Sequence, residues 1–92
     1  MINEKLKILR RDIEKIDKEL FKIIIKREQI IDKISKIKKK NMISIVDLKR
    51  EKELIKKINE KTKHQLNKNY IKEIYNVIFK YSKLKQKNDR SK

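Results

Sequence analysis

Ninety-two residues, 46% of them charged, with a formal net charge of +16 and no Gly, Pro, Cys or Trp, describe one small domain near the lower limit for burying its own core. The missing cysteines exclude a disulfide framework and a thiolate metal site or nucleophile, and a lone histidine, His64, excludes a multi-histidine metal site. Lacking both helix breakers and rich in Lys, Ile, Leu and Glu, the chain reads as all-α.

A first helix is expected over about residues 2–39, where Ile2, Leu6, Leu9, Ile13, Ile16, Leu20, Ile23 or Ile24, Ile30 or Ile31, Ile34 and Ile37 recur in alternating steps of three and four. Such a helix is roughly 54 Å long, more than a domain of this size covers, so the stripe is expected to pack against a partner chain as well. The start, "MINEKLKILRRD", has no apolar core of a signal peptide. No apolar run approaches the roughly 20 residues that span a bilayer, so the expected location is the cytoplasm, away from membranes.

"KKKNMISIV" (38–46) breaks the stripe and reads as a loop. A second helix is expected over about 47–60, capped by Asp47 and turning Leu48, Leu54, Ile55 and Ile58 inward. "NEKTKHQLNKN" (59–69) reads as a second loop with Asn69 as a cap. A third helix over about 69–87 turns Ile71, Ile74, Tyr75, Ile78 and Tyr81 inward, and "KNDRSK" is expected to fray. Residues 1–92 form one domain without repeats.

Polar residues interrupt these stripes. Arg27 takes an apolar position of the first helix, and Lys38 follows about 20° around it and roughly 16 Å along it. Together they suit the two ends of a small anion; alternatively Arg27 pairs with a carboxylate such as Glu51. Asp47, Arg50 and Glu51 stand at i, i+3 and i+4, an ordinary acidic N-terminus apart from the arginine, which the helix dipole disfavours there. Ser82 and Gln86 continue the apolar stripe of the third helix, either bonding backbone or facing a ligand cavity.

Arginine is scarce here (Arg10, Arg11, Arg27, Arg50 and Arg90) in a chain full of lysine. Where charge alone is needed lysine serves, so a surviving arginine points to bidentate recognition of a carboxylate. Arg10 and Arg27 lie roughly 25 Å apart along one helix and reach one small molecule only if Arg10 comes from an antiparallel partner. The basic charge admits a helical nucleic-acid-binding protein as the alternative. Against it, the lysines are spread along every segment, the Lys/Ile/Asn skew is that of an A/T-rich genome, and no stacking platform or nucleic-acid motif is present. A structural coiled-coil adaptor has no use for Arg27, Ser82 and Gln86.

The runs "LRRDIEKIDKELFKIIIKREQIIDKISKIK", "VDLKREKEL" and "YIKEIYNVIFKYSKLKQ" together resemble the all-helical class of chorismate mutases from about Leu6 to Gln86. The markers are LR-x2-I-x2-ID, an arginine within the first helix, a lysine at its end, D-x2-RE, and S-x3-Q in the third helix. The resemblance implies an intertwined homodimer of three-helix chains that converts chorismate to prephenate by an intramolecular [3,3] rearrangement, without cofactor or metal, in phenylalanine and tyrosine biosynthesis. It implies that Arg27 and the partner's Arg10 bind the two carboxylates, and that Lys38 and Gln86 donate to the breaking ether oxygen. Glu51 and the Asp47 region would hold the ring hydroxyl, with Ser82 and Arg50 completing the pocket and Arg50 paired to its flanking carboxylates. Isochorismate-processing enzymes of the same fold share much of this pattern. Ser35 stands where a glycine often sits, and "MISIV" lacks the proline often found in that loop. Nothing of a fused dehydratase or dehydrogenase domain appears, so a monofunctional or excised domain is expected.

Overall fold

The computed structural model describes residues 1–63 and 65–90; His64, Ser91 and Lys92, the last two in the expected tail, lie outside the described residues, as do the side chains of Asp89 and Arg90. The described residues form three helices and no strand: α1 Ile2–Lys40, α2 Leu48–Lys61 and α3 Lys68–Arg90. The backbone of α3 thus stays helical past the point where fraying is expected. Among the described residues no helix is long and apolar enough to cross a membrane.

Local chemistry sets the helix ends. Glu4 in the first turn of α1 and Lys38, Lys39 and Lys40 in its last turn both complement the helix dipole. Asp47 caps α2, its Oδ1 accepting the Arg50 N–H at 3.0 Å. The cap of α3 is Asn67, whose Oδ1 accepts the Asn69 N–H at 2.7 Å; Asn69 itself lies inside the helix. With no glycine available, α1 ends on Met42 at φ 55° and the chain after α2 turns on Lys63 at φ 50°. At Met42 the turn is a Schellman motif, in which Ile43 N–H donates to the Lys38 carbonyl at 2.8 Å and Met42 N–H to Lys39 at 3.4 Å.

The chain divides into two units, Met1–Ile30 and Ile31–Lys92. The first is α1 alone up to Ile30, and its apolar stripe of Leu6, Leu9, Ile13, Ile16 and Leu20 is exposed. The second contains the end of α1 with α2 and α3, and α2 packs on α3. Its core is small. Ile71 and Phe79 are buried, Tyr75 stacks on Phe79 with ring centroids 4.9 Å apart, and Leu54, Ile55, Ile58 and Ile78 are half-buried. Asp32 and Lys85 pair at 3.2 Å, tying the end of α1 to α3.

Three residues expected inside are exposed, namely Leu48, Ile74 and Tyr81. Leu48 opens α2, ahead of the half-buried run that begins at Glu51. Tyr81 lies about 200° around α3 from the buried Phe79, on the solvent side, with the Lys80 ammonium 5.6 Å from its ring centre. Phe79, absent from the expected core, takes the inward place.

Candidate active site

Six of the eight residues singled out above belong to the second unit. Lys38 ends α1, Asp47, Arg50 and Glu51 open α2, and Ser82 and Gln86 lie near the end of α3. Arg10 and Arg27 belong to the first, Arg10 exposed and Arg27 half-buried.

On α3 the apolar periodicity runs straight into Ser82 and Gln86, and both are buried, at 5% and 4% exposure. Gln86 Nε2 donates to the Ser82 carbonyl at 3.3 Å, using one of its two hydrogens, while its buried Oε1 has no hydrogen-bond partner among the described residues. The inward Gln86 is therefore held by the turn of helix before it and keeps one donor and one acceptor unused. Ser35, on α1, is buried to 2% exposure, so a small side chain is needed at that point.

Lys38 is half-buried and Nζ donates to the Ile45 carbonyl at 3.2 Å. Its own carbonyl accepts the Ile43 N–H, so one residue pins the α1–α2 loop from both its main chain and its side chain. The loop thus gains a tie without the proline whose absence the sequence made conspicuous. An ammonium has three donors, and two remain for other acceptors.

Asp47 is exposed and its carboxylate serves the start of α2. The expected pairing of Arg50 with Asp47 and Glu51 is not found. The Arg50 guanidinium instead reaches Glu53 at 3.9 Å, both side chains about half exposed. Asp47 is occupied by the backbone, and Glu51 points the other way, towards α3. There Lys83 Nζ lies 2.9 Å from Glu51 Oε2 and hydrogen-bonds Oε1 at 3.1 Å. The pair borders an α2–α3 groove of about 480 Å³, floored by Phe79 and flanked by Lys80 and Lys87. Lys83 carries no signal in the sequence, where it is one more lysine in a chain of +16. Its position one helical turn beyond the inward Phe79 was the available clue.

Among the described residues, no three His, Cys, Asp or Glu side chains cluster closely enough to hold a metal ion. The side chains turned inward are an ammonium, an amide, a hydroxyl and an ion-paired carboxylate, which can bind and polarise a ligand but include no activated nucleophile. These features define a three-helix protein that places polar groups where a helical core would otherwise be apolar. The chain belongs to the chorismate mutase type II family, whose model matches residues 9–87.

Curated relatives agree. The chain is 38% identical over 79 residues to a bifunctional chorismate mutase/prephenate dehydratase of Buchnera aphidicola subsp. Schizaphis graminum, covering 85% of this chain and 20% of that protein. It is 31% identical over 85 residues to the chorismate mutase of Methanocaldococcus jannaschii, covering 91% of this chain and 86% of that protein. The chain spans about a fifth of the length of the bifunctional relatives it matches. No solved structure gives a significant match.

Proposed function

We propose that this chain is a chorismate mutase, rearranging chorismate to prephenate in aromatic amino-acid biosynthesis. The observation that carries the reading is the burial of Ser82 and Gln86 on α3, inside the segment that matches the family. Within one molecule, the ether C–O bond breaks as a C–C bond forms between the enolpyruvyl methylene and the ring. No atom or electron is exchanged with the protein. The enzyme has two tasks: to hold a compact conformer and to stabilise negative charge developing on the ether oxygen.

Arg27 and the partner's Arg10 clamp the two carboxylates bidentately. Lys38, with two donors left beyond its bond to Ile45, and Gln86, with one beyond its bond to Ser82, donate to the ether oxygen. Glu51 and the N-terminus of α2 at Asp47 hold the ring hydroxyl, and Ser82 and Arg50 complete the pocket. No cofactor or metal takes part.

The active form is a homodimer of intertwined chains. Two observations support this: the exposed stripe from Leu6 to Leu20, and a core in which, among the described residues, only Ile71 and Phe79 are buried apolar residues. That core is too small to stabilise a chain of this length alone. The site of action is the cytoplasm, and neither membrane nor nucleic acid is a partner. The lysines are spread over all three helices.

The test is the loss of chorismate absorbance on adding the purified chain, with the product identified as prephenate by its acid conversion to phenylpyruvate. Saturable prephenate formation by a species sedimenting as a dimer is the expected result. A folded dimer without turnover overturns the reading, and isochorismate is then the next substrate to try.

A further inference from the structure

Lys83 has no place in the residue set considered so far, yet it makes a close charged contact with one of its members. Its Nζ straddles the Glu51 carboxylate, 2.9 Å from Oε2 and 3.1 Å from Oε1. Only Oε1 receives a hydrogen bond of good geometry; Oε2 is buried and accepts none. The side chains are 29% and 19% exposed, so this is a largely desolvated pair joining α2 to α3. A carboxylate in that environment needs a nearby cation, and Arg50, its neighbour in sequence, turns away to Glu53.

We propose that Lys83 is a positioning residue for Glu51: its ammonium, within 3.1 Å of both carboxylate oxygens, holds the carboxylate in the orientation in which it accepts the hydrogen bond of the substrate's ring hydroxyl. The proposal rests on the chorismate mutase reading, which gives Glu51 that hydroxyl. It goes further by assigning the anchoring to a lysine on another helix. Lys83 lies one helical turn beyond the buried Phe79 on α3, and Phe79, Lys83 and Glu51 border the same groove, so its reach to Glu51 is set by α2–α3 packing. An anchor of this kind acts through geometry: a carboxylate misplaced by about 1 Å can lower the rate on the order of 100-fold.

The experiment is a double-mutant cycle on kcat/KM with Lys83→Met, Glu51→Gln and the pair, alongside Lys83→Arg, each assayed where circular dichroism shows full helicity. Lys83→Met is expected to lose about 10- to 100-fold. Lys83→Arg, which keeps a cation on the Glu51 carboxylate, is expected to recover most of that loss. In the Glu51→Gln background Lys83→Met should cost nothing further, because the group it positions is gone. Three results overturn the proposal while leaving the enzyme reading intact. One is additive losses, which would place Lys83 on the substrate directly. A second is a lowered Tm with unchanged kcat/KM, which would make the pair a structural tie. A third is no recovery with arginine. A wild-type chain without turnover overturns the enzyme reading and this proposal together.

Discussion

Gln86 donates from Nε2 to the Ser82 carbonyl at 3.3 Å, and the same amide's Oε1 is buried with no hydrogen-bond partner among the described residues. The opposite amide orientation would set Oε1 against the carbonyl oxygen, so the backbone selects this one. A buried acceptor left unpaired costs about 1–3 kcal/mol, more than the roughly 1 kcal/mol that one amide–carbonyl bond returns. Gln86 therefore gains little for the fold from its one hydrogen bond.

Gln86→Met, which fills the same space without polar atoms, is expected to leave the unfolding free energy unchanged or raise it by about 1 kcal/mol. It should at the same time lower kcat by about 100- to 1,000-fold, as removal of a transition-state donor does. Urea unfolding and progress curves on one preparation check both halves. A loss of stability of more than about 2 kcal/mol would mean that the amide supports the fold.

Lys38 carries a different combination, since its ammonium ties the α1–α2 loop through Ile45 and is also the proposed donor to the ether oxygen. Lys38→Met is expected to reduce turnover about 100- to 1,000-fold and to cost no more than about 1 kcal/mol of stability. The amides around Ile45 should exchange faster, because their anchor is gone. Lys40→Met, two residues on and exposed, should change neither reading by more than about twofold. Hydrogen exchange and steady-state kinetics separate the two roles: faster exchange with unchanged turnover would leave Lys38 a loop anchor only.

What was legible in the sequence was whatever periodicity and side-chain chemistry write locally. The three- and four-residue apolar steps mark helices because the α-helix repeats every 3.6 residues. The same spacing carries Ser82 and Gln86 inward before any contact is known. Asp47 is readable as a cap because its carboxylate satisfies a backbone donor within the same turn. Asn67 and Asn69 have the same chemistry two residues apart, and only the backbone path decides that Asn67 is the cap. The left-handed turns at Met42 and Lys63 were hidden because the usual marker, glycine, is absent from the chain. The Glu51–Lys83 pair was hidden because it depends on how two helices pack, and lysine is too common here to draw notice. Arg50 stands out in a lysine-rich sequence, but Glu51 is turned away from it, and its guanidinium reaches Glu53 instead.

Arginine and lysine should not be exchangeable at the proposed carboxylate clamps. Arg27→Lys and Arg10→Lys keep the charge and lose the planar fork, so each is expected to reduce kcat/KM by about 10-fold or more. Lys22→Arg, on an exposed residue paired with Glu19 at 3.5 Å, should have little effect. Equal effects at all three positions would remove the bidentate argument.

A site that takes Arg10 from the partner also makes a prediction about mixtures. Chains carrying Arg10→Ala and chains carrying Gln86→Ala should each be nearly inactive alone. In the heterodimer one of the two sites combines an intact Arg10 with an intact Gln86, and the other lacks both. Random exchange makes about half of the dimers mixed, so roughly a quarter of wild-type activity should return. No recovery after demonstrated subunit exchange would place Arg10 outside the partner's site.

The glycine-free turns offer a stability test that leaves the proposed site chemistry unaltered. Met42 holds φ 55° at the end of α1 and Lys63 holds φ 50° after α2, a conformation that costs a residue with a Cβ roughly 1–2 kcal/mol. Met42 is 94% exposed, so removing its side chain forfeits almost no packing. Glycine relieves the steric cost but adds freedom to the unfolded chain, which cancels part of the gain. Met42→Gly and Lys63→Gly are each expected to raise stability by about 0.5–1 kcal/mol, and their effects should add because the turns share no partner. Substitution of alanine at the same positions keeps the Cβ and is expected to give no such gain. Equal stability of the glycine and alanine variants would show that the left-handed turns carry no strain.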